Sequence, residues 1–407
     1  RDQPRSRGLG DVYKRQGLFC VLALCLSMLP VSALAAEDAP SNQPTTLLSD
    51  DNVAKIEENE YPTLDEAVNA AEDGATIELL ADATTKGWNL TKSLTITSAP
   101  DLAEKPTVTF EKDGIALWGK TLTFKGIDVV MNGVGSTPYG EWTWMTICAS
   151  KDAVLALDNV NMTMDATGST GSPHAIYFCS NNKLNLTNGS VLTIKNYPND
   201  ALEWDGGDGG YNVNITNSTF ISDHNRSGFT GTFYATITNS KVDVVNNLGN
   251  GSNGSHFIIE DSEVNFNNNG SHGLSAGELS IDNSTVNTKN NNGMGITVNN
   301  AFTVENGSIV TVTGNAGNSS YGYAAVRLYN DYPFTVDSTS ELYIEDNNNT
   351  GLYVRQGNLT VEDGAVLKIT GNKVSHSLLD GYGGGIYVGY GDNYDPTVIP
   401  VSYTHLT

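Results

Sequence analysis

A constant step of 22 residues restricts the folds open to this chain more than any single motif does. The segments that begin at Val213, Ala235, Phe257 and Leu279 place Asn217, Asn239, Asp261 and Asn283 at equal intervals. A period of this size marks stacked units, each of which buries its apolar side only against its neighbours. Two residues before the polar position stand Ile215, Ile237, Ile259 and Ile281, and the series continues less regularly as Val304, Val336 and Val361. Four residues before it stand Val213, Ala235, Phe257, Leu279, Phe302, Phe334 and Leu359. Apolar side chains two apart line one side of a β-strand, and no helical spacing competes with them.

A second short strand is expected after the polar corner, with Phe220, Val242, Val264, Val286 and Ile309 pointing inward. A third stretch follows a run of asparagine and glycine and reaches Leu274 and Ile296. Both of those residue types accept positive φ at low steric cost, so 22 residues hold three strands and three sharp corners. Winding the chain this way sets each strand in parallel on the one below, about 4.8 Å away. The fold class is all-β, a solenoid of about a dozen three-strand coils. At the corner itself, Asn217, Asn239, Asp261 and Asn283 read as an amide ladder bonding from coil to coil.

Residues 1–16 and 401–407 resemble translated sequencing-adapter read-through and are set aside, and the natural chain is expected to continue past Pro400. Residues 17–35 read as a secretory signal peptide: an apolar run, then Pro30 and small residues up to an Ala33-x-Ala35 cleavage site. Residues 36–59 read as a polar linker and residues 60–400 as the solenoid. Without the first 35 residues the 22 basic and 46 acidic side chains become 17 and 44, a net charge of −27. That balance argues against nucleic acid, and against polyanionic polysaccharide unless calcium intervenes. The mature chain is expected to lack a transmembrane segment. Two cysteines remain, Cys148 and Cys179, and they read as stacked free thiols.

Apolar residues at 64, 67, 68 and 71, with Asp65 and Glu66 in the first turn, predict a helix that Gly74 ends. An open solenoid end exposes both core and strand edge, so this helix is the expected N-terminal cap. The cap, the following strand at residues 92–97 and the asparagine-serine coils together resemble the secreted right-handed parallel β-helix proteins of anaerobic gut bacteria, in the broad pectate-lyase-like superfamily. The resemblance runs from about Glu60 to Asp395. It implies a right-handed parallel β-helix, and it implies no one activity, since such folds serve lyases, hydrolases and adhesins.

A lyase-like site needs clustered carboxylates for calcium and a nearby basic group. Asp223, His224 and Arg226 are the best local candidates, because Arg226, Arg327 and Arg355 are the mature chain's only arginines. His272 is similar to the histidine element of polygalacturonase-like enzymes. It also occupies a position that the repeat explains, since Met294 precedes the same glycine one coil later, and so it reads as a corner residue. Glu203, Asp205 and Asp208 lie on a glycine-rich stretch that could take calcium; no other cofactor is expected. The remaining histidines fall at unrelated offsets, which assembles no metal cluster from spacing. Trp142 and Trp144 alternate as strand neighbours, and with Trp204, Tyr321 and Tyr323 they are candidate platforms for sugar rings.

The resulting expectation is a secreted or cell-wall-associated protein that acts as an adhesin-like or glycan-binding module, with surface polysaccharide as partner. The alternatives are a polysaccharide lyase or glycoside hydrolase, whose acid and base would come from different coils, and a structural stalk.

Overall fold

A computed structural model describes residues 52–373 apart from 139, 141–143, 180, 206–212 and 317–323, together with 384–389 and 398–400. Trp142, Asp208, Tyr321 and Tyr323 lie outside the described residues, as do the signal-peptide segment, most of the linker and residues 401–407. Within the described chain the protein is a parallel β-helix whose coils present three faces. The first face includes Val213–Thr216, Tyr234–Thr238 and Ser255–Glu260. The second includes Thr219–Asp223, Lys241–Val245 and Glu263–Asn267. The third includes His174–Phe178, Leu202–Trp204 and Phe229–Thr230. Among the described residues twelve strands stack on the second face, matching the expected dozen coils. The nine-residue strand Leu274–Asp282 runs unbroken from the third face onto the first and merges those two sheets in the later coils.

The 22-residue step becomes stacked side chains. Ile215 pairs with Ile237, Ile237 with Ile259, Ile259 with Ile281, and the column continues through Val304, Val336 and Val361. All of them are buried. On the second face Phe220, Val242, Val264 and Val286 form the matching column. The next member is Val310 and not Ile309, which is 39% exposed. Gly307 adds a residue after the Asn306 corner, and a slip of one residue turns every side chain of a strand to the opposite side.

The corners explain why asparagine recurs. Asn217, Asn239, Asp261 and Asn283 all adopt positive φ, between 44° and 49°, and all are exposed. Two steps of the expected ladder are made: Asn239 Nδ2 donates to Asn217 Oδ1 and Asn283 Nδ2 to Asp261 Oδ1, each at 2.5 Å. The continuous ladder at this corner belongs to the serines behind them. The backbone N–H of Ser218 donates to Ser240 Oγ, Ser240 to Ser262, Ser262 to Ser284, Ser284 to Ser308 and Ser308 to Ser340, all between 2.9 and 3.2 Å. A residue at positive φ directs its side chain to solvent here, so the serine beside it inherits the interior.

The buried asparagine ladder lies one corner further, between the second and third faces. Asn225, Asn247, Asn269, Asn291, Asn315 and Asn347 are buried, and each Oδ1 from Asn269 to Asn347 accepts both the backbone N–H and the Nδ2 of the asparagine one coil earlier. Nδ2 also reaches a backbone carbonyl, as from Asn269 to Val244 and from Asn291 to Phe266. A buried carboxamide with every donor and acceptor used costs nothing for burial and fixes the stacking. Beside it the coil is so narrow that a Cβ on Gly251 would meet Gly273 O at 2.4 Å.

The helix Leu64–Ala70 forms as expected, with Thr63 capping it by accepting the N–H of Glu66 and with Leu64, Ala67 and Val68 buried. Asp65 ties it to the first coil by accepting from Thr85 Oγ1, Trp88 Nε1 and the backbone N–H of Lys86. A hairpin of Ala54–Ile56 and Asn59–Tyr61 completes the cap, its first strand running antiparallel to Ala75–Leu79. These strands begin inside the stretch that composition assigns to the linker.

Candidate functional site

The third face gathers most of the chemistry. Its outward row runs in register from Ala116 to Cys148, Tyr177, Glu203, Thr230 and Asn253, and in the later coils from Ser275 through Thr297, Arg327 and Tyr353 to Tyr387. Two clusters interrupt this row of small and polar residues, one toward each end.

The first cluster is built by four successive coils. His174 opens the strand His174–Phe178, and its backbone N–H donates to Trp144 O. Ala175 N–H donates to Asp200 O, and Ala201 N–H to Ser227 O, so Trp144, His174, Asp200 and Ser227 come from consecutive layers. His174 is 8% and Asp200 2% exposed. His174 Nδ1 stands 3.7 Å from Asp200 Oδ2 and lies directly against Glu203 Oε2. The contact with Glu203 lacks hydrogen-bond alignment, which leaves His174 Nδ1, Asp200 Oδ1 and Glu203 Oε2 buried without a hydrogen-bond partner. Burial raises the Asp200 carboxyl above the ordinary aspartate range; His174, Arg226 and the Ser227 hydroxyl oppose the rise, and Glu203 adds to it.

Aromatic side chains frame this cluster. Trp144 meets the rings of His174 and Tyr177 edge-on, at 5.6 and 4.7 Å between centroids, and is itself 42% exposed. The Tyr177 hydroxyl donates to Asp205 Oδ2 at 2.6 Å, and burial together with that bond pushes the phenol's ionisation up. Beneath the patch, Met145, Cys148 and Tyr177 pack together with Trp118 and Cys179. Cys148 and Cys179 are free thiols in contact; the hydrogen bond between them and burial push the Cys148 thiol up, the opposite of a reactive thiolate.

The second cluster stacks cations on rings. The Arg327 guanidinium lies 4.5 Å from the Tyr329 ring centroid and 5.9 Å from that of Tyr353, with Arg355 3.9 Å above Tyr329. Two of the three arginines that follow residue 35 meet here.

The sequence candidates distribute unevenly over this map. Asp223 and His224 contact each other at 2.7 Å, half-exposed, at the corner between the second and third faces, and His224 takes the positive-φ position that Asn246 takes one coil later. Arg226 lies past the buried Asn225 and donates from Nη1 to Asn199 Oδ1 at 3.3 Å. The three therefore do not converge, and Arg226 belongs with Asp200. His272 is the corner residue its spacing suggests: its Nδ1 accepts the backbone N–H of Met294, and burial and Arg327 keep its pKa low. Trp204 corrects an expectation. It is 6% exposed and packs against Phe178 and Phe233, because residues 202 and 204 are the inward positions of their strand, so it offers no face to a sugar. Of the proposed acidic loop, Glu203 joins His174 and Asp200, whereas Asp205 is held by Tyr177. Spacing assembles no cluster from the histidines, and His174 meets Asp200 and Glu203 through a stacking offset that spacing does not reveal. A groove of about 550 Å³ also runs along the exposed Asn217, Asn239, Asp261 and Asn283 corner, bordered by Lys241 and Glu263.

No helix among the described residues is long and apolar enough to cross a membrane. No protein-family profile matches the chain, and no curated protein sequence matches it. Among solved structures, the periplasmic alginate epimerase AlgG is similar over 80% of this chain and 84% of its own, with 12% identity and a TM-score of 0.30.

Proposed function

We propose that the protein is a secreted, extracellular glycan-binding module that holds an extended polysaccharide along its third face. The carrying observation is that one outward row links the Trp144–Tyr177 patch to the Arg327–Tyr353 patch, with small polar side chains between them. Seven strand spacings separate Tyr177 from Tyr353, roughly 34 Å along the axis, a length suited to a chain of sugars and not to a single one. The exposed Trp144 and the partly exposed Tyr353 supply stacking faces, one in each patch. Measuring affinity for a panel of neutral and acidic polysaccharides tests this: Trp144→Ala is expected to weaken binding about tenfold, and Trp144→Ala with Tyr353→Ala to abolish it. Undiminished binding by the double variant would overturn the assignment.

A polysaccharide-cleaving or polysaccharide-modifying enzyme is the second reading, favoured by the buried carboxylates and imidazole beside the exposed Trp144. New reducing ends or unsaturated products from the same panel would establish it.

A further inference from the structure

His174, Asp200 and Glu203 bring one imidazole nitrogen and two carboxylate oxygens within 4.8 Å of one another. The side chains of His174 and Asp200 are nine-tenths or more buried, and His174 Nδ1, Asp200 Oδ1 and Glu203 Oε2 are buried with no hydrogen-bond partner. Such atoms are costly to bury unpaired, and neighbouring groups offset only part of the cost. Arg226 is the nearby cation that acts on Asp200. Asp205, the other nearby acid, is already held by the Tyr177 hydroxyl and does not enter the cluster.

We propose that His174, Asp200 and Glu203 bind a divalent transition-metal cation beneath the edge of Trp144. The donor set decides the chemical class. Calcium takes six to eight oxygen ligands, whereas a single imidazole with two carboxylates suits zinc or manganese and leaves at least one coordination position open. The 3.7 Å between His174 Nδ1 and Asp200 Oδ2 lies close to the separation, about 3.4 Å, of two ligands each about 2.1 Å from a tetrahedral ion, and the Glu203 carboxylate, which lies directly against His174 Nδ1, has to swing outward to admit the ion. The site lies on the face assigned to glycan, but nothing in its argument depends on that assignment.

The full chain, dialysed against chelator and then against buffer, is titrated with Zn²⁺, Mn²⁺ and Ca²⁺ by calorimetry, with bound metal counted by elemental analysis. The expected result is one equivalent of Zn²⁺ or Mn²⁺ at micromolar or tighter Kd, a raised Tm, and Ca²⁺ binding at least a hundredfold weaker. His174→Ala and Asp200→Asn should each weaken Zn²⁺ and Mn²⁺ binding at least a hundredfold while the chelated variants melt cooperatively like the chelated parent. Should a variant fail to fold, Glu203→Gln, at the most exposed of the three positions, provides the same comparison. Co²⁺ adds a second readout, since an absorption band from bound Co²⁺ should vanish in His174→Ala. A parent with no stoichiometric Zn²⁺ or Mn²⁺, a preference for Ca²⁺, or binding that survives both substitutions would overturn the site and leave the trio as an ion pair. Stoichiometric metal in a parent chain that binds no polysaccharide of the panel would sink the glycan assignment and leave this one standing.

Discussion

The coils from Val213 to Asn300 and those from Thr107 to Asp205 share one architecture and divide its tasks. In the later set the first-face partners Ile215, Ile237, Ile259 and Ile281 stand 22 residues apart at every step. In the earlier set Ile147 pairs with Ile176, an offset of 29, and Ile176 with Leu202, an offset of 26. The additional residues are loops, and Trp144, His174 and Asp200 stand at their bases on the third face. Where the repeat is strict, every corner is spent on stacking; where it is relaxed, the chain gains room for side chains that stacking does not need. Regularity supports the solenoid, and departure from it makes the site.

The contrast breaks most visibly at the core. Ile259→Asp places a carboxylate at a fully buried position between two isoleucines and is expected to cost more than about 4 kcal/mol, enough to abolish the cooperative melt. Lys241→Asp, on the same regular coils but exposed, is expected to change stability by no more than about 0.5 kcal/mol. Equal melting of the two variants would remove the stacked-coil account.

A smaller effect separates the two asparagine corners. Asn269→Ala deprives the Asn247 backbone N–H and Nδ2 of their acceptor inside the stack and is expected to cost about 2–4 kcal/mol by chemical denaturation. Asn239→Gly meets only the backbone demand of a positive φ, which glycine satisfies, and should cost less than about 0.5 kcal/mol. A larger loss at 239 than at 269 would mean that the exposed row, and not the buried one, holds the coils.

The smallest effect is one of sign. The Asp200 carboxyl is raised in the folded chain, so its contribution to stability is full below the unfolded aspartate value of about 3.8 and is lost as pH rises through the folded value. In chelator, Asp200→Asn should therefore melt no lower than the parent at pH 7, and its advantage should shrink toward pH 4. Asp165 behaves oppositely. Burial works against its charge, but bonds from Asn196, Thr167 and Lys195 outweigh that and hold it at about 2. Its contribution is present above about pH 3.8 and lost as pH falls through 2, so Asp165→Asn should lower Tm at pH 7 and leave it unchanged near pH 2. Parallel pH profiles for the two variants would contradict these environments.

The solenoid was legible in the sequence because strand side chains alternate and the period is constant, so Ile215 and Ile237 declare both their burial and their pairing. The capping helix was legible from its spacing and first-turn acids. The buried asparagines were equally available, since Asn225, Asn247, Asn269 and Asn291 also stand 22 apart. They were hidden by company: Asn246, Asn268 and Asn290 beside them satisfy the corner's need for positive φ, and a run of asparagines reads as loop. Ile309 was misplaced because one added glycine shifts the strand without altering its composition. The meeting of His174 with Asp200 and Glu203 was not legible at all. Their pairing depends on an offset of 26 set by loop lengths, and neither residue carries a local signal of its partner.

Each coil of the strict set presents the same serine below and the same asparagine above. A coil of 22 residues is consequently interchangeable with its neighbours, and adding or removing one moves the Arg327–Tyr353 patch relative to the Trp144–Tyr177 patch by about 4.8 Å without altering either. The ladder of amides thus makes the protein an adjustable ruler, whose graduations are set by how many copies of one sentence the gene repeats.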